Sequence, residues 1–181
     1  MTKNNIIHVY HNIFLGTYLN SIFIDKINEK NINCIIFIGR VNKSKYTLDE
    51  YIDNNIDHHF IKINDDTNFL DIILKRSIDL IMLNPSKNIL IHCATGFSLS
   101  VYVIIFYYII LLKEKKSSSE TNFITINLLN LIYLKNNRIS VSDYYINLLL
   151  KKEQKLVKNK KTIKNNKTMK HKEKNVLLKD Y

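Results

Sequence analysis

The sequence predicts an α/β domain: a central, mostly parallel sheet flanked by helices, with a helical C-terminal half. Three observations predict it. The apolar run Cys34 to Ile38 shows no alternation and reads as a strand buried on both faces, as in parallel sheets. A second run, Ile89 to Ile91, leads through a small-residue loop into the uncharged apolar segment Val101 to Leu112, which reads as a buried helix. Strand patterns come early and alternate with helical ones, and helical patterns alone finish the chain.

Each element follows from local pattern. Ile6 to Tyr10 and Ile13 to Gly16 read as short strands joined by a turn at His11-Asn12. Leu19 to Lys30 reads as one helix with Ile22, Phe23 and Ile27 near one face. Gly39 closes the Cys34 to Ile38 strand, which makes Cys34 a core cysteine. Val41 to Asn55 is polar, with a short helix over Tyr46 to Tyr51. His58 to Ile63 alternates as a strand and ends in the turn signal Asn64-Asp65-Asp66-Thr67. The next helix sets Phe69, Ile72, Ile73, Leu80 and Leu83 on one side, and Asn84-Pro85 stops it. After the central helix, Ser117 and Glu120 form a capping-box pattern for a helix reaching about Leu134 and burying Phe123, Leu128, Leu131 and Ile132. Ser140 or Ser142 caps a last helix, with Tyr144, Tyr145, Leu148 and Leu149 inward.

The 181 residues suffice for one domain with a sizeable core. Residues 151–181 hold twelve lysines against Glu153, Glu173 and Asp180, whereas the rest of the chain is nearly balanced in charge. The division expected is a domain over 1–157 and a basic, disordered tail over 158–181. Glycine is scarce, so Gly16, Gly39 and Gly96 are expected where backbone geometry demands them. The two cysteines, Cys34 and Cys93, with no secretory signal pattern, point to free thiols in a reducing, cytoplasmic setting. The apolar run Leu99 to Leu112 is shorter than the roughly 20 residues a bilayer needs, so no membrane span is expected.

The chemistry concentrates in Ile89-Leu90-Ile91-His92-Cys93-Ala94-Thr95-Gly96-Phe97-Ser98-Leu99-Ser100. A loop that opens a helix directs several backbone N–H groups to one point, at the positive end of the helix dipole. Such a point holds an oxyanion, and a thiol placed there is activated as a nucleophile.

His92, Cys93, Gly96 and Ser100 stand at the offsets of the loop H-C-x-x-G-x-x-R-S/T. The chain thereby resembles the cysteine-dependent protein phosphatases, and in particular the small dual-specificity phosphatases, those of poxviruses included. Phe14-Leu15-Gly16 resembles the strand that enters the first helix in that family. The likeness covers roughly residues 6–156 and implies a cysteine-phosphatase-like fold. It implies Cys93 as the nucleophile, with Ser100 bonded to its sulfur and His92 orienting the loop. Ala94, Thr95, Gly96, Phe97, Ser98 and Leu99 would form the phosphate cradle, and Asp66, better matched than Asp65, would be the general acid. Read apart from the loop, Cys93 is a buried strand-end cysteine, His92 a core histidine, Ser100 a helix N-cap and Asp66 a loop carboxylate. Neither a cofactor nor a metal is implied.

One position departs from the family. Leu99 stands where the arginine should be. That arginine makes two charge-assisted bonds to the phosphoryl oxygens, at ~1.5–3 kcal/mol each. Losing both would cost roughly 10²–10⁴ in rate. Arg40, Arg76 and Arg138 are the only arginines, and none lies in the loop. The reading is therefore a pseudophosphatase that binds phosphorylated or acidic partners, a phosphoprotein first among them. The alternative is an active tyrosine and serine/threonine phosphatase, or an RNA 5′-phosphatase, working through a Cys93 phosphocysteine. The lysine-rich tail suits an acidic or nucleic-acid contact. If the chain is viral, the host cytoplasm or the virion is its place. Partner identity and oligomeric state are not legible in the sequence.

Overall fold

The computed structural model describes residues 6–41, 48–63, 69–94, 98–115, 124–135, 139 and 141–156. Its strands are β1 (Ile7–Tyr10), β2 (Ile13–Thr17), β3 (Ile32–Gly39), β4 (Asp57–Lys62) and β5 (Asn88–Cys93). They form one sheet in the order β1-β2-β5-β3-β4. The β1–β2 hairpin is antiparallel, and the other three pairings are parallel. The helices are α1 (Tyr18–Ser21), α2 (Ile24–Glu29), α3 (Leu48–Asp53), α4 (Phe69–Leu83), α5 (Leu99–Lys115), α6 (Ile124–Lys135) and α7 (143–156). This is the α/β architecture expected, with a helical C-terminal half.

Alternation along the inner strands divides the core between two sheet faces. Cys34, Ile36 and Ile38 of β3 join Ile89, Ile91 and Cys93 of β5 in a cluster with Val101, Ile104 and Ile105 of α5. Ile35 and Leu90 point the other way, into a second cluster with Ile27 of α2 and Tyr51 of α3. The central strand β5 has β2 on one side and β3 on the other. Five consecutive residues of α5, Val101 to Ile105, have no exposed surface. A helix enclosed on all sides has no use for a polar face, which explains its uncharged sequence.

Several elements differ from their sequence reading. The single first helix is two, α1 and α2. Thr17 and Asn20 close a capping box on α1. The hydroxyl of Tyr51 donates to the Ser21 carbonyl at 2.8 Å, so that carbonyl is drawn away from a continuing helical ladder. Phe23 stands at the start of α2 with ψ 88°, outside helical geometry, and is half exposed instead of buried. On α4 the buried face comprises Ile73, Leu74, Ser77 and Ile81, while Ile72 and Leu83 are exposed. An apolar-only reading passes over Ser77, which lies fully buried within that face.

On α6 the buried set is Ile124, Thr125, Leu129 and Ile132; Leu128 and Leu131 are only partly buried. The capping-box residues Ser117 and Glu120, and also Phe123, lie outside the described residues. The start of α6 is held from α7. The Glu153 carboxylate accepts from the Ile124 N–H (2.9 Å), the Thr125 N–H (3.2 Å) and the Thr125 hydroxyl (2.6 Å). On α7 Leu149 is buried and Tyr145 partly so, but Tyr144 is exposed. The Ser142 carbonyl accepts the first bonds of α7, from Tyr145 and Ile146. Ser140 and the segment 158–181 lie outside the described residues. Among the described residues, no helix is long and apolar enough to cross a membrane.

Candidate functional site

Parallel strands that share a direction bring their C-terminal ends to one edge of the sheet, where α/β proteins build their sites. Here that edge carries Thr17 of β2, Cys93 of β5 and Ile38 of β3. Cys93 pairs with both neighbours, Thr17 and Ile38. A cavity of about 400 Å³ opens at this edge. Its wall includes Cys93, Ala94, Ser98 and Leu99 from the strand-to-helix junction. Arg40, Ile63 and Tyr145 contribute from β3's end, β4's end and α7.

Cys93 is the last residue of β5, and 5% of its surface is exposed. Its Sγ lies 3.5 Å from the Ser100 Oγ. Ser100 stands in the first turn of α5 and is fully buried. It does not cap the helix: that place falls to Ser98, whose carbonyl accepts from the Tyr102 N–H at 3.0 Å. A helix's first turn presents backbone N–H groups that the helix does not itself use. Ser98 and Leu99 bring that turn to the cavity wall.

His92 points to the opposite sheet face from Cys93. Its ring stacks flat on Phe37, with centroids 4.7 Å apart and planes 6° from parallel. Burial, with His58 nearby as a lesser cause, lowers its pKa to about 3, so the ring is neutral at physiological pH. A backbone contact with Cys93 acts weakly in the opposite direction. His92 therefore brings no positive charge to the thiol; it braces the end of β5 through the stack. Gly39 makes that stack possible: a Cβ there would meet the Phe37 ring at 2.7 Å.

Cys34 is fully buried and its thiol is pushed up to about 12, chiefly by burial. It stands opposite Ile89, whereas Cys93 stands opposite Ile38. Four strand residues separate them, about 13 Å at strand rise. Both cysteines are free.

Of the loop, Thr95, Gly96 and Phe97 lie outside the described residues, as do Asp65 and Asp66. Ile63, the last described residue before Asp66, lines the cavity and donates its N–H to the Gly39 carbonyl at 2.9 Å. The structure brings together Cys93, Ala94, Ser98, Leu99 and Ser100. It adds two residues that sequence reasoning did not place here. Tyr145 shares the cavity wall, and its hydroxyl pKa is raised by burial, by Tyr144 and by the Cys93 thiol. Arg40 is the other: it lies just past the end of β3, two residues after Ile38, which stands opposite Cys93. Among the described residues of this wall, Arg40 alone carries a formal charge. No group of three or more potential metal-ligating side chains occurs among the described residues.

The fold is that of the dual-specificity and tyrosine phosphatase domains. Three similar solved structures illustrate it. The Yvh1 phosphatase domain from Chaetomium thermophilum matches with a TM-score of 0.60 and 23% identity, over 81% of this chain and 92% of that one. A leucine rich repeat and phosphatase domain containing protein from Entamoeba histolytica matches at 0.58 and 20%, over 86% and 94%. The human tyrosine phosphatase-like serine/threonine/tyrosine-interacting protein matches at 0.61 and 16%, over 84% and 97%. No family model matches the sequence, and no curated protein matches it.

Proposed function

We propose that this chain is a member of the dual-specificity phosphatase family that has become a pseudophosphatase: it binds phosphorylated partners and turns them over slowly or not at all. The observation that carries the reading is Leu99. It opens α5 on the cavity wall beside Cys93, where the family's loop has its phosphate-binding arginine. Its apolar side chain supplies neither the charge nor the planar fork that stabilises a phosphoryl group in transfer. The 3.5 Å approach of Ser100 to Cys93 supports retention of the thiol's surroundings. One similar structure bears a name of the same kind, phosphatase-like and interacting. The likeness to poxviral members rests on the loop residues alone, and the tail's contact with an acidic or nucleic-acid partner rests on its lysines.

Turnover of a small aryl phosphate and of a phosphotyrosine peptide tests the reading, comparing wild type, Leu99→Arg and Cys93→Ser. Wild type no faster than Cys93→Ser, with activity gained in Leu99→Arg, is the expected pattern. Hydrolysis by wild type that vanishes in Cys93→Ser supports the alternative of an active phosphatase with a phosphocysteine intermediate.

A further inference from the structure

We propose that the Tyr145 hydroxyl, from α7, donates a hydrogen bond to the phosphoryl group of a ligand in the Cys93 cavity, and so serves, without charge, where Leu99 has replaced the family's arginine. This deepens the preceding reading and rests on it.

Position comes first. Tyr145 lies in the first turn of α7 and lines the cavity together with Cys93 and Leu99. Its ring rests against Tyr102 of α5, with centroids 5.3 Å apart, and meets Tyr144 edge-on at 5.4 Å. Tyr102 is fully buried and stands three residues after Leu99, so the two leave one side of α5 as neighbours. The Tyr145 ring therefore packs next to the point on α5 from which the family's arginine would extend. A ring held by two others has little freedom left to lose when a ligand binds.

The chemistry of the hydroxyl selects its role. Tyr145 is half-buried, and its hydroxyl makes no hydrogen bond among the described residues. Burial, Tyr144 and the Cys93 thiol, in that order, raise its pKa above the ordinary phenol range. At neutral pH it therefore keeps its proton and meets an anion as a donor. The influence of the thiol also means that phenol and sulfur lie within each other's field. Leu99 and Ile63 make the wall around the phenol apolar. Arg40, on the same wall, is exposed, so water screens its charge. A donor beside apolar surface bonds an oxygen more strongly than one in open water, and the negative charge of a phosphoryl oxygen strengthens the bond further. A phenol gives one such bond and no charge. It holds the ligand but does little for the charge that develops in phosphoryl transfer, which suits binding with little turnover.

The test is binding by the full 181-residue chain to a fluorescein-labelled phosphotyrosine peptide, followed by anisotropy at fixed ionic strength. The unphosphorylated peptide is the control ligand. Tyr10→Phe is the control variant: Tyr10 is 44% exposed at the end of β1, which runs antiparallel to β2 and so away from the cavity. Wild type is expected to prefer the phosphopeptide. Tyr145→Phe, which keeps the ring and its packing, should weaken that binding by about 10–100-fold, the range for one hydrogen bond to a charged group. Inorganic phosphate gives a second readout that needs no peptide. It should slow iodoacetamide modification of Cys93 in wild type and do so less in Tyr145→Phe. In a Leu99→Arg background, loss of the hydroxyl should cost less, because the restored arginine holds the same group. Phosphopeptide binding and phosphate protection that Tyr145→Phe leaves unchanged, or binding that Tyr10→Phe weakens equally, overturn the role of Tyr145 and leave phosphoryl binding standing. A wild type that does not distinguish the two peptides overturns both.

Discussion

Cys93 and Ser100 come from different elements, one ending β5 and the other opening α5, yet their sulfur and oxygen are 3.5 Å apart. Hydrogen-bond donation from a hydroxyl to a thiolate stabilises the reactive form of the cysteine. The two thiols of the chain should therefore separate cleanly on alkylation. Iodoacetamide at neutral pH should modify Cys93, which lines the cavity, and spare Cys34, which is fully buried with its thiol pushed up to about 12. Ser100→Ala should slow modification of Cys93 by about fivefold, equivalent to one hydrogen bond of about 1 kcal/mol. Peptide mapping by mass spectrometry reads both outcomes. Modification of Cys34 at a comparable rate would contradict the burial assigned to β3. The importance of Leu99 was legible through the resemblance of its loop to the phosphatase signature, because the offset from Cys93 is fixed along the chain. The place of Arg40 on the cavity wall was not, because it depends on which strand lies beside β5, and strand order is a property of the folded sheet.

At the level of elements, the contact between α6 and α7 is built on a buried carboxylate. Glu153 accepts three hydrogen bonds at the start of α6 and is 5% exposed. Glu153→Ala would leave two backbone donors and a hydroxyl buried without that acceptor. A loss of about 2–3 kcal/mol is expected, read as a lower midpoint in urea unfolding. Glu153→Gln, which keeps an acceptor oxygen but no charge, should lose less. The sequence offered Ser117 and Glu120 as a local cap, and it counted Glu153 only as a charge near the tail. A cap supplied from another helix leaves no spacing signal. The break between α1 and α2 was hidden for the same reason, since the Tyr51 hydroxyl that takes the Ser21 carbonyl comes from 30 residues away. The inner strands β3 and β5 were legible because an uninterrupted apolar run, bounded by turn residues, fits few alternatives.

At the scale of the whole molecule, His92 and His58 are held neutral inside the fold. His92 is lowered to about 3 and His58 to about 4, both chiefly by burial, from an ordinary 6.5. Below 6.5 the unfolded chain takes up protons that the folded chain refuses until its own lower values are reached. The unfolded state then binds more protons, so stability rises with pH and is lost as pH falls from 6.5 toward about 4. Each histidine contributes at most about 1.4 kcal/mol per pH unit in that window. Urea unfolding at about pH 7 and about pH 5 should show the fall. His58→Gln should remove part of it, together with the ring's contact with Tyr51 and its lesser effect on His92. An unchanged slope in that variant would mean that carboxylates govern the acid limb.

The register of β3 against β5 also decides the fate of the cavity thiol under peroxide. A sulfenic acid formed on Cys93 needs a second sulfur close by to be trapped as a disulfide. Cys34, the chain's only other cysteine, is held four residues back along the neighbouring strand and cannot reach it. The fold carries no resolving partner of its own. Whether such damage is reversed or advances to the sulfinic stage then depends on small thiols able to enter the cavity.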